Sequence, residues 1–245
     1  GPEALLLVNQ ISTNNAAKLA VGQVHYAGLL YDHGGFVDDI LVHKVAGDHY
    51  FLCVNASNQD KDFEHIRAQN HWDCVVENSG PKFAQIAVQG PRAAETLQKL
   101  TLTDLSAIKY YWFVDGEVSG DWARIARTGY TGEDGFEIYV APELAEARWN
   151  ELMAAGAEFG IKPAGLGARN TLRLEAGMAL YGHEIDASIS PWEAGLGWIV
   201  KMDKGDFTGR SVLERQKAEG VKRKLVGFEM RGRGIGRDGY EVRVA

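Results

Sequence analysis

Two strand-like segments joined by a glycine turn constrain the fold of this chain more than any other feature. Residues 24–30 and 37–45 are rich in Val, Leu, Ile and aromatic residues, and the connector at 31–35 (YDHGG) ends in two glycines. Such a connector favours a hairpin, because glycine reaches the positive φ values that tight turns need. Strands joined by so short a connection pair in antiparallel orientation. We therefore expect an antiparallel sheet early in the chain.

Shorter elements follow in an order without a regular period. Asn58 has the side chain of an N-cap residue and precedes a predicted helix. Because no βαβ unit repeats, the order favours an α+β fold with mixed or antiparallel sheets over a doubly wound parallel sheet. The further predicted strands are 49–55, 83–88, 123–126, 136–140, 222–229 and 240–244, and the predicted helices are 2–9, 59–70, one around Leu97 and Leu100, 142–155 and 165–177.

Charge and cysteine content exclude several classes of function. The formal net charge of the 245 residues is −7, whereas nucleic acids and anionic membranes bind basic surfaces, so neither is expected as a partner. Cys53 and Cys74 are too few for a disulfide framework or a zinc site, and we expect reduced thiols in the cytosol or the mitochondrial matrix, with no metal. Both ends of the chain lie within predicted elements, so we expect a fragment of a longer protein.

A glycine-rich stretch at 127–140 (RTGYTGEDGFEIYV) ends in a strand with strict alternation. Asp134-Gly135 is a typical hairpin-turn pair. The strand places Phe136 on an apolar face and Glu137 on the opposite face. Glu137 then either faces solvent or lines a pocket, where its two oxygens could accept hydrogen bonds from a ligand with paired N–H donors. Tyr130 could stack on that ligand.

Two adjacent aspartates interrupt the apolar strand at 37–45. The period of two sends Asp38 and Asp39 to opposite faces, so we expect at most one to be buried with a purpose. A carboxylate in such a strand costs several kcal/mol, on the order of a desolvation energy, unless it is hydrogen bonded. One aspartate could cap the preceding turn while the other faces water, or one could orient a ligand and accept a proton. The period alone does not decide between them.

The stretch at 165–182 (GLGARNTLRLEAGMALYG) is not a dinucleotide-binding fingerprint, because the third glycine is missing from its position. Arg169 and Arg173 lie one helical turn apart. They could form salt bridges at the surface or between domains. Alternatively, Arg169 could contact an anion or a carbonyl group near the start of the helix.

Several strings together resemble the T-proteins of the glycine cleavage system, a family of tetrahydrofolate-dependent aminomethyltransferases. They include GGFVDD, VNASNQDKDF, RTGYTGEDGFEIYV, GLGAR, RLEAG and SPWEAGLGWIV, in this order along nearly the whole chain. Two other folate-binding groups remain alternatives. These are the non-catalytic proteins of iron–sulfur cluster maintenance, whose cysteine-containing loop is RTGYTGED here, and the folate modules of dimethylglycine or sarcosine oxidoreductases.

The resemblance implies a function and a set of residues. It implies transfer of a one-carbon unit from the aminomethyl-lipoyl arm of the H-protein to tetrahydrofolate with release of ammonia, by a monomer. Asp39 would be the catalytic carboxylate beside the reacting nitrogens. The implied folate-binding residues are Tyr26, Asn55, Tyr130, Glu137 and Arg169.

The resemblance also implies a domain organisation. Residues 1–76 would form a first α+β subdomain, 77–190 a second one with the folate loop, 191–221 a connecting helical segment, and 222–245 the start of a truncated C-terminal β-barrel. One departure is Asn170, where the family usually has an aspartate. This departure removes the expected Arg–Asp support for the helix start.

Overall fold

The first sheet contains the predicted hairpin. The computed structural model describes residues 1–234, 236–237 and 239–243. Strands β1 (Val24–Leu30), β2 (Phe36–Ala46) and β3 (His49–Cys53) form an antiparallel sheet in the order β1-β2-β3. The connector between β1 and β2 is closed by a hydrogen bond of 2.9 Å from Tyr31 N to Gly35 O, and Gly34 adopts a φ of 84°. The positive φ explains why glycine is needed there.

Two helices cover one face of this sheet. Helix α1 (Ala4–Ile11) and helix α2 (Gln59–Ala68) share a buried apolar core with β1 and β2. The predicted capping role of Asn58 is wrong, because its side chain makes no capping hydrogen bond although it directly precedes α2. The core residues contributed by the helices and the sheet include Leu7, Val8, Ile11, Leu29, Val37, Ile40 and Ile66.

The second sheet has four antiparallel strands in the order β4-β7-β6-β5. Its strands are β4 (Ala84–Gln89), β5 (Phe113–Val118), β6 (Asp121–Ala126) and β7 (Gly135–Val140), and helices α3 (Ala93–Gln98) and α4 (Ala145–Ala155) pack on it. Strand β5 was not predicted, since FVDGEV contains residues that disfavour strands. Asp115 is stabilised there by Arg124, its direct partner on β6, through two hydrogen bonds of 2.7 and 2.9 Å.

The rest of the chain packs at the hairpin end of the first sheet. Helix α6 (Arg210–Glu219) lies in this part, where apolar side chains between 179 and 213 surround Leu30 and Phe36, whereas helix α5 (Leu166–Glu175) contacts Tyr130 in the loop before β7. The predicted strand at 222–229 is wrong, because those residues have no neighbouring strand to pair with. Residues 240–243 are not a strand either, and Val244 lies outside the described residues.

The mixed helices and antiparallel sheets confirm the predicted α+β class. The subdomain boundaries after residues 76, 190 and 221 stay predictions. Among the described residues, no helix combines the length and apolar character needed to cross a bilayer.

An aromatic cluster joins the two sheets. His43 on β2 is fully buried, and its ring lies 5.3–5.9 Å from the ring centroids of Phe51, Phe113 and Tyr139. Burial, followed by the nearby charge of Arg124, lowers the pKa of His43 to about 3. The imidazole is therefore neutral at neutral pH and packs as an aromatic ring.

Replacing His43 with Phe should remove a pH-dependent loss of stability. The unfolded chain binds a proton at His43 below about pH 6.5, whereas the native state does not until about pH 3. The free energy of unfolding of the wild type should thus fall by about 2–3 kcal/mol more than that of His43→Phe between pH 7 and pH 4.5. Urea unfolding at both pH values measures this difference. His183→Gln, at an exposed position, is the control; equal losses in wild type and His43→Phe would contradict the assignment.

Candidate active site

Asp39 is held by donors from two other segments of the chain. The hydroxyl of Tyr26 donates to Oδ2 of Asp39 at 2.8 Å, and the amide Nδ2 of Asn55 donates to Oδ1 at 3.0 Å. In the β1–β2 register Asp39 lies opposite Gly28, two residues from Tyr26. Tyr26 and Asp39 are therefore diagonal neighbours on one face of the sheet, within reach of a long side chain.

The environment of Asp39 places its titration near neutral pH. Burial raises the pKa of Asp39 to about 6, with a further contribution from the charge of Asp38, while the hydrogen bonds from Tyr26 and Asn55 oppose the rise. A carboxyl group with such a pKa can both carry charge and exchange a proton at neutral pH.

The strand period predicted that at most one of the two aspartates is buried, and the structure agrees. Asp38 is fully buried, and Asp39 is partly buried. Asn55 Nδ2 donates to Oδ1 of Asp38 at 2.8 Å as well as to Oδ1 of Asp39 at 3.0 Å. The two side chains leave opposite faces of β2, but Asn55, just beyond the end of β3, bridges them.

Glu137 leaves the apolar face of β7, as the alternation predicted. Phe136 and Ile138 are fully buried in the core of the second sheet. Oε1 of Glu137 accepts a hydrogen bond of 2.8 Å from Gln85 Nε2, and Oε2 accepts one of 2.5 Å from Thr128 Oγ1. Burial raises the pKa of Glu137, while Thr128, the charge of Arg169 and Gln85 oppose the rise. Each oxygen keeps a second acceptor site for a ligand.

The loop before β7 is closed by an ion pair. Arg127 donates to both carboxylate oxygens of Asp134, at 2.9 and 2.7 Å, across the eight residues at 127–134. The predicted turn at Asp134-Gly135 is wrong, since Gly135 is the first residue of β7. Glycine is needed there for close approach to β4, because a Cβ atom would lie 2.5 Å from the carbonyl oxygen of Val88.

Tyr130, in this loop, meets Arg169 from helix α5. The guanidinium carbon of Arg169 lies 4.4 Å from the centroid of the Tyr130 ring, within the range of cation–π contacts. The Tyr130 hydroxyl donates to the carbonyl oxygen of Ala179. These contacts hold the Tyr130 ring in place, and the charge of Arg169 opposes the rise that burial causes in the pKa of Glu137.

The charges of Asp39, on the first sheet, and Glu137, on the second, affect the pKa values of the same neighbouring residues. Burial raises the pKa of Cys53 to about 12, and the charges of Glu137 and Asp39 add to the rise. The same two charges raise the pKa of Tyr111, after the effect of burial. The charge of Asp39 also contributes to the raised pKa of Tyr130. Contacts join the same parts of the two sheets: Cys53 Sγ, at the end of β3, lies 3.6 Å from Oε1 of Gln85, whose Nε2 donates to Glu137 at 2.8 Å.

Two aromatic residues of this region were missed in the sequence. Trp198 stacks on Tyr26, with ring centroids 5.8 Å apart and an interplanar angle of 29°, and is 60% exposed. Tyr111 adopts a positive φ of 61°, which is uncommon for a bulky residue. Trp198 stands in a string quoted for the resemblance, whereas no local pattern marks Tyr111.

The second arginine of helix α5 has a structural role. Arg173 is buried, and its guanidinium donates twice to Oδ1 of Asn170, at 2.9 and 2.7 Å, and also to Glu184. The departure at Asn170 therefore retains an acceptor for the arginine without the charge. Arg169 is exposed by comparison and faces the site.

Comparison with known proteins identifies the family. Residues 1–204 match the GCVT N-terminal domain. The chain belongs to the GCVT N-terminal domain family. This result confirms the resemblance on which the site residues were chosen, while the role of each residue remains a prediction.

Individual relatives agree with this assignment. The chain is 54% identical over 246 aligned residues to an aminomethyltransferase of Koribacter versatilis and 50% identical over 244 to one of Lysinibacillus sphaericus. These alignments cover 99% of this chain and 65% and 66% of the relatives, so the chain spans slightly less than two thirds of their length. The solved structure of glycine cleavage system aminomethyltransferase T from Bartonella henselae superposes with a TM-score of 0.80 at 30% identity, over 90% of this chain and 60% of that one.

In this GCVT-family chain, replacing Tyr26 with Phe should raise the pKa of Asp39. The tyrosine hydroxyl stabilises the ionised carboxylate, and its loss leaves the effect of burial less opposed. We expect a rise of about one unit above the present value, measured by carbon NMR titration of labelled aspartate side chains. Tyr240→Phe, at an exposed position, should leave the titration unchanged. A pKa of Asp39 that stays the same or falls in Tyr26→Phe would refute the hydrogen bond.

Proposed function

We propose that this chain forms the folate-binding part of a glycine cleavage aminomethyltransferase. The reaction moves a one-carbon unit from the aminomethyl-lipoyl arm of the H-protein to tetrahydrofolate and gives 5,10-methylenetetrahydrofolate and ammonia. The names of the relatives support the activity. The observation that carries the proposal is Asp39, a carboxyl group held by Tyr26 and Asn55. Asn55 follows the end of β3, where Cys53 contacts Gln85, the residue that donates to Glu137.

The side chains near Asp39 and Glu137 suit the pterin of tetrahydrofolate and the aromatic ring attached to it. Glu137 would accept hydrogen bonds from the amino group and the ring N–H of the pterin with the free acceptor sites of its two oxygens. Tyr130, in cation–π contact with Arg169, and Tyr26, stacked on Trp198, offer aromatic faces to planar rings. Asn55 would contribute a polar contact beside Asp39.

Asp39 would act at the reacting carbon. That carbon lies between sulfur and nitrogen in the aminomethyl-lipoyl group and becomes electron-poor when either bond breaks. The carboxylate of Asp39 stabilises the developing positive charge. In the balanced reaction the C–S bond and the C–N bond to ammonia break, and two C–N bonds to N5 and N10 of the folate form. The two protons displaced from N5 and N10 end on the thiol and on ammonia, and Asp39 can relay one of them.

The same proposal implies a cellular compartment and a partner for the chain. Cys53 and Cys74 are free thiols, as a reducing compartment would keep them, and the named relatives are bacterial. We therefore propose a cytosolic protein that acts as a monomer with the H-protein as its partner.

Replacing Asp39 with Asn should lower turnover by about 10²- to 10⁴-fold, because the shape remains and the charge and proton relay are lost. The measurement is tetrahydrofolate-dependent ammonia release from loaded H-protein by the full chain. Glu133→Gln removes a neighbouring exposed carboxylate from the glycine loop and serves as the matched control. Turnover of Asp39→Asn near that of wild type would end the proposed role. The same assay distinguishes this enzyme from a non-catalytic folate-binding protein, which would release no ammonia.

Replacing Glu137 with Gln should weaken binding of tetrahydrofolate by about 10- to 100-fold, the range expected for a hydrogen bond to a charged group. The amide can still accept from Thr128, so the local fold is retained. Calorimetric titration of tetrahydrofolate into the chain gives the affinity. Glu133→Gln is again the control, and equal affinities for all three proteins would show that Glu137 does not bind the pterin.

A further inference from the structure

The side chain of Lys204 connects the loop before helix α6 to the end of helix α1. Its Nζ donates hydrogen bonds to the carbonyl oxygens of Asn9, at 2.5 Å, of Asn14, at 3.0 Å, and of Ser12. An ammonium group has three N–H donors, and these three acceptors use all of them. Because Asn9 precedes Lys204 by 195 positions in the sequence, the contact fixes two distant parts of the chain against each other.

These hydrogen bonds cap helix α1 at its C-terminal end. The last four carbonyl groups of an α-helix have no partner within the helix, and they carry the negative end of its dipole. The helix sequence ALLLVNQI contains no basic residue that could bond them. Lys204 supplies a cation to the carbonyl oxygen of Asn9. Thr208 N, from the same loop, donates to the carbonyl oxygen of Gln10 at 2.9 Å, so this loop closes the helix.

The chain just after helix α1 runs along the side of β1 that faces away from β2. Thr13 N donates to Gly28 O at 3.0 Å, and Gly28 N donates to Oγ1 of Thr13 at 2.9 Å. Nδ2 of Asn14 donates to the carbonyl oxygen of Tyr26 at 2.9 Å. The amide of Asn14 is oriented for this bond, because its Oδ1 accepts from the backbone N–H of Asn15 at 2.8 Å. This segment therefore sets the backbone position of Tyr26.

Two contacts from the same part of the chain converge on Tyr26. The amide of Asn14 holds its backbone, and the carbonyl group of Asn14 is in turn held by Lys204. Trp198, just before the loop in sequence, stacks on the Tyr26 ring. Tyr26 donates its hydroxyl to Oδ2 of Asp39 at 2.8 Å. Since a hydrogen bond weakens steeply when its geometry is lost, small shifts of the Tyr26 backbone would weaken this bond.

We propose that Lys204 is a positioning residue whose ammonium group holds residues 12–14 against β1 and thereby keeps the hydroxyl of Tyr26 on Asp39. The three donors of Lys204 are committed to backbone carbonyl groups, so its effect reaches Asp39 through Asn14 and Tyr26. Burial lowers the pKa of Lys204 to about 7, so the ammonium group is charged at about pH 6, where Asp39 titrates. The effect on Asp39 stands independently of the proposed function, whereas the consequence for turnover rests on it.

Carbon NMR titration of labelled aspartate side chains tests the positioning. Lys204→Met keeps the length of the side chain and loses the donors, so the Tyr26 hydroxyl should be held less firmly. The pKa of Asp39 should then rise by up to about one unit. Lys18→Met removes an exposed lysine that pairs with Asp203 in the same loop, and it should leave the titration unchanged. An unchanged pKa of Asp39 in Lys204→Met would overturn the proposal.

A double variant separates this effect from a direct effect of charge. Lys204→Met also removes a positive charge, which by itself would raise the pKa of a nearby carboxyl group. If Lys204 acts through the Tyr26 hydroxyl, adding Lys204→Met to Tyr26→Phe should cause no further rise in the pKa of Asp39. A rise of equal size with and without the Tyr26 hydroxyl would show a charge effect and contradict positioning.

Asn14→Ala tests the connecting residue and serves if Lys204→Met does not fold. It removes the amide that donates to Tyr26 but keeps the carbonyl group that accepts from Lys204. The pKa of Asp39 should again rise. If the folded Asn14→Ala chain titrates as wild type does, Lys204 caps the helix without positioning Asp39, and the proposal fails.

The consequence for turnover is measured as tetrahydrofolate-dependent ammonia release from loaded H-protein by the full chain. Asp39 is still present in Lys204→Met, so kcat should fall by only about 3- to 10-fold, the range that corresponds to one hydrogen bond. Lys18→Met should keep the wild-type rate. A Lys204→Met chain with wild-type kcat would refute this consequence. A wild type that shows the NMR effects but releases no ammonia would refute the proposed function and leave the positioning of Asp39 intact.

Discussion

The side-chain amide of Asn55 joins two carboxylates that a β-strand sends to opposite faces. Its Nδ2 contacts Asp38 at 2.8 Å and Asp39 at 3.0 Å. This bridge requires β3 to end at Cys53, so that Asn55 is free of the strand ladder. Helix α2 begins only four residues after Asn55. The short connection from β3 to α2 thereby places one amide between two acids.

The carboxylates of Asp38 and Asp39 are stable in this position because both accept hydrogen bonds. A buried carboxylate without hydrogen bonds costs several kcal/mol, on the order of its desolvation energy. N–H donors satisfy Asp38, and the Tyr26 hydroxyl and the Asn55 amide satisfy Asp39. Apolar neighbours such as Val37 and Ile40, which belong to the core below, keep water away from the group. The same exclusion of water that stabilises the fold gives Asp39 its raised pKa.

Local patterns in the sequence predicted what depends on local geometry. The hairpin at 31–35 follows from turn chemistry, and the exit of Glu137 from the apolar face follows from the period of a strand. Strand β5 was missed because Asp115 is stabilised by Arg124, a partner known only once β6 is placed. The strand predicted at 222–229 failed for the converse reason, since an alternating segment without a neighbouring strand has no ladder. The choice of Asp39 over Asp38 came from family resemblance, and the link from Asp38 to Asn55, 17 positions apart, has no local pattern.

The distance between Asp39 and Glu137 depends on how the two sheets pack outside the candidate site. Asp39 belongs to β2 and Glu137 to β7, and the two sheets meet through the aromatic cluster in which His43 contacts Phe51, Phe113 and Tyr139. Tyr139 is two residues from Glu137 on the same strand and face, so its packing sets the position of that carboxylate. Close-packed cores transmit small changes in volume rather than absorb them. The aromatic cluster therefore helps to set the spacing that a ligand contacting both Asp39 and Glu137 would have to match.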